Sequence, residues 1–159
     1  MRIIYCITFF FLIIASQLAL TNSAEAQRAG SGNFGIGIMV GEPTGIAPKL
    51  WLNQESAIAG GIAWAFSGEA SLHLHADFIN HVHGLADVEG GMLSFYYGMG
   101  GRLLLREDNS KIGMRFPIGL NYILSGSSIE FFLEIVPVFN LLPSTDFSGN
   151  GGIGFRYYF

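Results

Sequence analysis

Beyond residue 32 the chain alternates apolar side chains with polar or small ones at a period of two, the signature of strands with two unlike faces. Over residues 33–41, Phe34, Ile36, Ile38 and Val40 point one way, and Gly35, Gly37 and Met39 the other. The pattern recurs over about 46–52, 57–66, 71–80, 92–105, 111–124, 129–139 and 151–159, which predicts eight strands. Lys49 and Trp51 oppose Leu50 and Leu52; Ile58, Ile62, Trp64 and Phe66 oppose Ala59, Gly61, Ala63 and Ala65; Leu72, Leu74, Ala76 and Phe78 oppose His73, His75 and Asp77. Leu93, Phe95, Tyr97, Met99 and Leu103 then oppose Ser94, Tyr96, Gly98, Gly100 and Arg102. Ile112, Met114, Phe116, Ile118, Leu120 and Tyr122 oppose Gly113, Arg115, Pro117, Gly119 and Asn121, with an irregularity expected at Pro117, which cannot donate a ladder bond. Phe131, Leu133 and Ile135 oppose Glu130, Phe132 and Glu134, and in the last strand Ile153, Phe155, Tyr157 and Phe159 oppose Gly152, Gly154, Arg156 and Tyr158.

Turn residues separate these runs: Pro43 and Gly45 after the first, Gly68 after the third, and the Ser-Gly-Ser-Ser stretch 125–128 before the seventh. Residues 81–91 have no clear period and contain Gly84, Gly90 and Gly91, so they are expected to form the longest loop, with shorter ones over 106–110 and 141–149. An even strand number returns both termini to one side. The loops after the first, third, fifth and seventh strands then face outward, and since all four are short, long adhesive outer loops are not expected.

Alternation alone fits a soluble sandwich as well as a barrel inverted in lipid. The amino terminus bears on the choice. Arg2, an apolar stretch from Ile3 to about Leu20, and Ala24-Glu25-Ala26 form the pattern of a secretory signal peptide, with cleavage expected after Ala26. Hydrophobic residues make up 50% of the 159, which raises the possibility of helical spans, but beyond residue 26 there is no run of 18 apolar residues. About 133 residues would remain, close to what eight spanning strands and short turns require. The single cysteine, Cys6, lies in the signal, so the remainder would contain neither thiol nor disulfide. A net charge of −4 without a basic patch gives no reason to expect nucleic acid as a partner.

The inner faces carry Lys49, Asp77, Arg102, Arg115, Glu130, Glu134 and Arg156. In a lumen as narrow as eight strands allow, such charges should pair, because an unpaired buried charge is costly. Arg115 and Arg156 lie on either side of the Glu134 strand, and Asp77 is one strand from Arg102, so an ionic plug is expected, with a narrow ion path as the alternative. The small inner residues leave room for Trp51, Tyr96, Phe132 and Tyr158, or for water. His73 and His75 form a polar inner stripe with Asp77, and a histidine beside a carboxylate can act as a base or metal ligand. No inner-face cysteine or third histidine accompanies them, so no catalytic residue, metal or cofactor is expected, and a lipid-modifying enzyme ranks third. Gly30-Ser-Gly-Asn-Phe-Gly35 matches a dinucleotide-binding spacing, but it opens a strand rather than joining strand to helix.

The ending Phe155, Tyr157, Phe159 resembles the carboxy-terminal signal read by the barrel-assembly machinery. Together with Gly41-Glu-Pro-Thr-Gly45, Lys49-Leu-Trp51, His73-Leu-His-Ala-Asp77 and Tyr97-Gly-Met-Gly-Gly-Arg102, it resembles a family of small bacterial outer-membrane barrel proteins, and in architecture the eight-stranded OmpA and OmpX type. That resemblance implies an all-β, eight-stranded antiparallel up-and-down transmembrane barrel over residues 27–159 in the cell outer membrane of a Gram-negative-type envelope. The expected partners are outer-membrane lipid and, during insertion, the assembly machinery, with the protein a monomer. The family has no agreed activity and supplies no catalytic residue.

Overall fold

A computed structural model describes residues 32–65, 71–88, 90–106 and 110–159. The signal peptide expected over residues 1–26 and the turn expected at Gly68 therefore lie outside the described residues. Among those described there is no helix. The strands are β1 (Phe34–Glu42), β2 (Gly45–Ile46), β3 (Lys49–Trp51), β4 (Ser56–Ala65), β5 (Ser71–Val88), β6 (Gly91–Arg106), β7 (Lys111–Arg115), β8 (Ile118–Leu124), β9 (Ile129–Leu142) and β10 (Asp146–Tyr158). All pair antiparallel, and β10 pairs with β1 from Gly35↔Tyr158 to Glu42↔Gly151, so the sheet closes on itself.

Ten segments make eight staves because prolines interrupt two of them. Pro48 separates β2 from β3, and its carbonyl still accepts the Gly60 N–H at 2.8 Å. Pro117 separates β7 from β8, where its carbonyl accepts from Gly98 N–H at 3.0 Å and Phe116 N–H donates to Pro137 at 3.0 Å. The irregularity expected at Pro117 is there, and Pro48 makes a second for the same reason. Following the register from Phe34 through Leu50, Ile58, Phe78 and Met99, then Phe116, Pro137 and Gly149, returns to β1 near Thr44. This stagger of about ten residues belongs to a strongly tilted, narrow barrel.

Two expected loops are corrected. Residues 81–91 are not a loop, since β5 runs to Val88 and pairs with β6 down to Val88↔Gly91. Gly84 takes φ +79° at a register shift between His83 and Ala86, so it bends the strand without ending it. The 141–149 loop also contracts, because β9 reaches Leu142 and pairs with β10 from Asn140↔Asp146. Both hairpins were obscured by polar inner positions, which at a rim look the same as a loop.

The faces divide as the alternation predicts. Ile36, Ile62, Met99, Leu133, Ile135, Ile153 and Phe155 are exposed, while Lys49, Asp77, Arg115, Glu130 and Arg156 are buried. Glycines make room for the inner aromatics. A Cβ on Gly119 would lie 2.4 Å from Tyr96 Cζ, one on Gly154 would lie 2.5 Å from Phe132 Cζ, and one on Gly35 would lie 2.8 Å from Tyr158 Cε1. The small inner residues are thus seats for large neighbours. Gly119→Val should displace the Tyr96 ring and cost about 1–3 kcal/mol by overpacking, measured as a lower urea midpoint of the refolded protein. At the end holding the termini, Trp51, Ala57, Ala59, Ile79, Tyr96, Ile123 and Tyr158 fill the lumen with apolar surface.

Candidate functional site

The staves bring the inner charges into two stacked clusters. Nearest the termini, Glu130 is fully buried and serves as acceptor for four side chains. Lys49 Nζ donates to both its oxygens at 2.9 and 3.1 Å, Arg156 Nη1 at 2.7 Å, Tyr158 OH at 2.7 Å and Asn121 Nδ2 at 3.4 Å. Each partner is itself held. Lys49 Nζ stands 4.0 Å over the Trp51 ring and 3.1 Å from His81 Nε2. His81 Nδ1 lies 3.0 Å from the Glu55 carbonyl, which can only accept, so Nδ1 carries the proton and Nε2 faces the ammonium. Arg156 donates through Nε to Ala47 O at 3.0 Å and lies 3.7 Å over the Phe132 ring.

Arg115, also fully buried, organises the second cluster. Its Nε reaches both oxygens of Asp77 at 3.1 Å and its Nη2 reaches Glu134 Oε1 at 3.5 Å. Tyr96 OH donates to the other Glu134 oxygen at 2.9 Å. His75 Nε2 approaches Asp77 at 4.0 Å, and its ring meets that of His73 edge-on. Three cations, Lys49, Arg115 and Arg156, therefore face three carboxylates, Asp77, Glu130 and Glu134, inside the barrel.

The pairing differs from the one neighbouring strands suggest. Arg156 joins Glu130, its direct cross-strand partner, rather than Glu134. Asp77 reaches over Gly100 of the intervening β6 to Arg115, which shares that register position on β7, rather than to Arg102, whose cross-strand partner is His75. Arg102 turns instead to Asn140, Asn150 and Ser148, at 2.7, 2.9 and 3.2 Å. Sequence reasoning missed His81 and Ser148, which it placed in loops, and Asn140 and Asn150, which fall just beyond the ends of the predicted strands. The signal was present, since 81 continues the inner parity of 73, 75 and 77, and 140 that of 130, 132 and 134. Phe155 and Tyr157 lie exposed on the outer face of β10, and the exposed Phe159 donates its N–H to Phe34 O at 3.0 Å, at the seam where the barrel closes.

Among the described residues no group of three histidine, cysteine or carboxylate side chains is placed to hold a metal.

No family model matches the sequence. No curated protein sequence matches it either. Among solved structures, the chain is similar to the N-terminal β-barrel domain of Pseudomonas aeruginosa OprF, with a TM-score of 0.56 and 13% sequence identity over 79% of this chain and 95% of that one, a likeness of fold.

Proposed function

We propose that the chain is a small integral outer-membrane barrel protein with a structural or surface-associated role, whose lumen is closed by its own paired charges. The observation that carries this is the inversion of the barrel. Its outer wall is apolar on every stave, with Ile135 69% and Ile153 61% exposed, while the charged side chains Lys49, Arg115 and Glu130 lie at no more than 1%. In water that arrangement would leave a continuous apolar surface uncovered and bury charge without need; in lipid both faces are satisfied. In this reading residues 1–26 direct export and are removed, the aromatic ending guides insertion, and the protein works as a monomer without a cofactor or catalytic residue.

Closure follows from the clusters. Arg115 links Asp77 of β5 to Glu134 of β9, and below it Glu130 ties Lys49 to Arg156, with the apolar cluster around Trp51 and Ile79 beneath. A hydrated ion would have to break several of these contacts in series. Refolded mature protein in a planar bilayer should give no discrete conductance steps, with folding checked in parallel by resistance of the barrel to detergent at room temperature. Steps whose size changes in Glu134→Gln would replace the plug by the ion path.

A further inference from the structure

Beyond the plug, the lumen widens into a cavity of about 440 Å³, bordered by Glu42, Thr44, Arg106 and Lys111 at the end of the barrel opposite the termini. That volume falls within the range of about 300–1,000 Å³ usual for small-molecule sites. Arg102 and His73 are the buried polar residues in its wall.

Arg102 differs from the other lumenal cations. Lys49, Arg115 and Arg156 each touch a carboxylate, whereas Arg102, only 7% exposed, touches neutral side chains alone. Asn140, Asn150 and Ser148 hold both its terminal nitrogens, and Asn140 Nδ2 in turn donates to Ser148 Oγ at 3.2 Å. Its Nε is buried and has no hydrogen-bond partner among the described residues. His73, 8% exposed, is in the same condition: its Nε2 is buried and without a partner. A buried guanidinium fixed in orientation by neutral acceptors, with no carboxylate in contact among the described residues, is poised for an anion. Of the described charged groups at this mouth, Asp146 is held by Lys111 at 3.3 Å, and Glu42 and Arg106 are exposed with opposite signs. Among the described residues the rim is thus roughly balanced, and the cation without a carboxylate contact is the deep one.

We propose that this vestibule binds a small organic oxyanion, a carboxylate or a phosphate ester, anchored by Arg102, with His73 and the Ser71 and Ser148 hydroxyls lining the rest of the seat. The Arg102 Nε–H, which no described group accepts, offers a charge-assisted hydrogen bond to either group. The proposal concerns the space above the plug and holds whether or not the clusters below conduct.

The test is to follow the Arg102 Nε–H signal by NMR in refolded wild-type mature protein in zwitterionic micelles, titrating inorganic phosphate and, separately, acetate, with chloride at equal ionic strength as the reference. At least one oxyanion should shift the signal saturably where chloride does not, and which of the two does so identifies the ligand's acidic group. Arg102→Lys, which keeps the charge and loses the fork, should weaken binding about tenfold or more, and Lys111→Gln less than about threefold. No saturable shift with either oxyanion, or one that chloride reproduces, overturns the proposal, as does loss of binding in Lys111→Gln with Arg102 intact. Because the first readout uses the wild-type protein, the test stands even if Arg102→Lys does not fold.

Discussion

Glu130→Ala should lower the stability of the folded barrel by about 3–5 kcal/mol, because truncating one partner of a buried ion pair strands the other. Here one carboxylate serves two cations. Its removal takes away the carboxylate that both contact, leaving Lys49 against His81 and the Trp51 ring, and Arg156 against the Ala47 carbonyl and the Phe132 ring. The two losses share a group and so do not add. Tyr158 OH and Asn121 Nδ2 lose an acceptor as well. Glu130→Gln keeps the volume and one acceptor oxygen, and should fall between Ala and the wild type. The contrasting pair is Lys111–Asp146 at 3.3 Å, with side chains 25% and 41% exposed, where Lys111→Ala should cost about 1 kcal/mol or less. Urea unfolding in lipid vesicles, followed by tryptophan fluorescence, ranks the three, since Trp51 lies against Lys49 in the affected cluster and Trp64 on the outer face reports the barrel as a whole. A Glu130→Ala midpoint equal to that of Lys111→Ala would mean that water already reaches the cluster, and the closed lumen would have to be abandoned.

How much of this was legible in the sequence depends on which interactions set each feature. Strand parity is local, a matter of which side of the pleat a residue occupies, so the outer faces of 34–40, 58–64 and 131–135 could be read directly. Strand ends were less legible. Near a rim the inner positions are polar and the outer ones need not be strongly apolar, so His81, His83 and Asn140 look like loop residues although the ladder continues past them. Glycine compounded this, because Gly84 bends a strand that the same residue elsewhere would end. Pairing inside the lumen was least legible. It depends on register and on which inner positions are glycine, which strand order does not show: Asp77 passes over Gly100 to meet Arg115 rather than the nearer strand's Arg102, and Arg102 is left facing the vestibule. Which inner charges exist is a property of the sequence; which of them lacks a partner emerges only from the closed ring.

Ile135→Arg should cost about 2–4 kcal/mol when the barrel is folded in a bilayer, the penalty for arginine near the membrane midplane on a lipid-facing position. Ile135 is central in β9, it is 69% exposed, and its cross-strand neighbours are Ile118 on β8 and Gly151 on β10, so no opposite charge is at hand to receive the guanidinium. The substitution disturbs nothing in the lumen, since Glu134 and Val136 keep their inward places. Its effect therefore reports the solvent outside rather than the packing within. On the surface of a soluble barrel the same change would fall within about 0.5 kcal/mol of neutral. The measurement is the free energy of folding into lipid vesicles by urea titration, with Phe147→Arg as the depth control. Phe147 is 72% exposed at the far end of β10, close to the turn after β9, where the penalty should shrink to about 0–1 kcal/mol. A large cost at 135 and a small one at 147 is the gradient of a bilayer. Equal, near-zero costs at both would mean that water bathes the apolar wall, and the barrel would then need a protein partner to cover it.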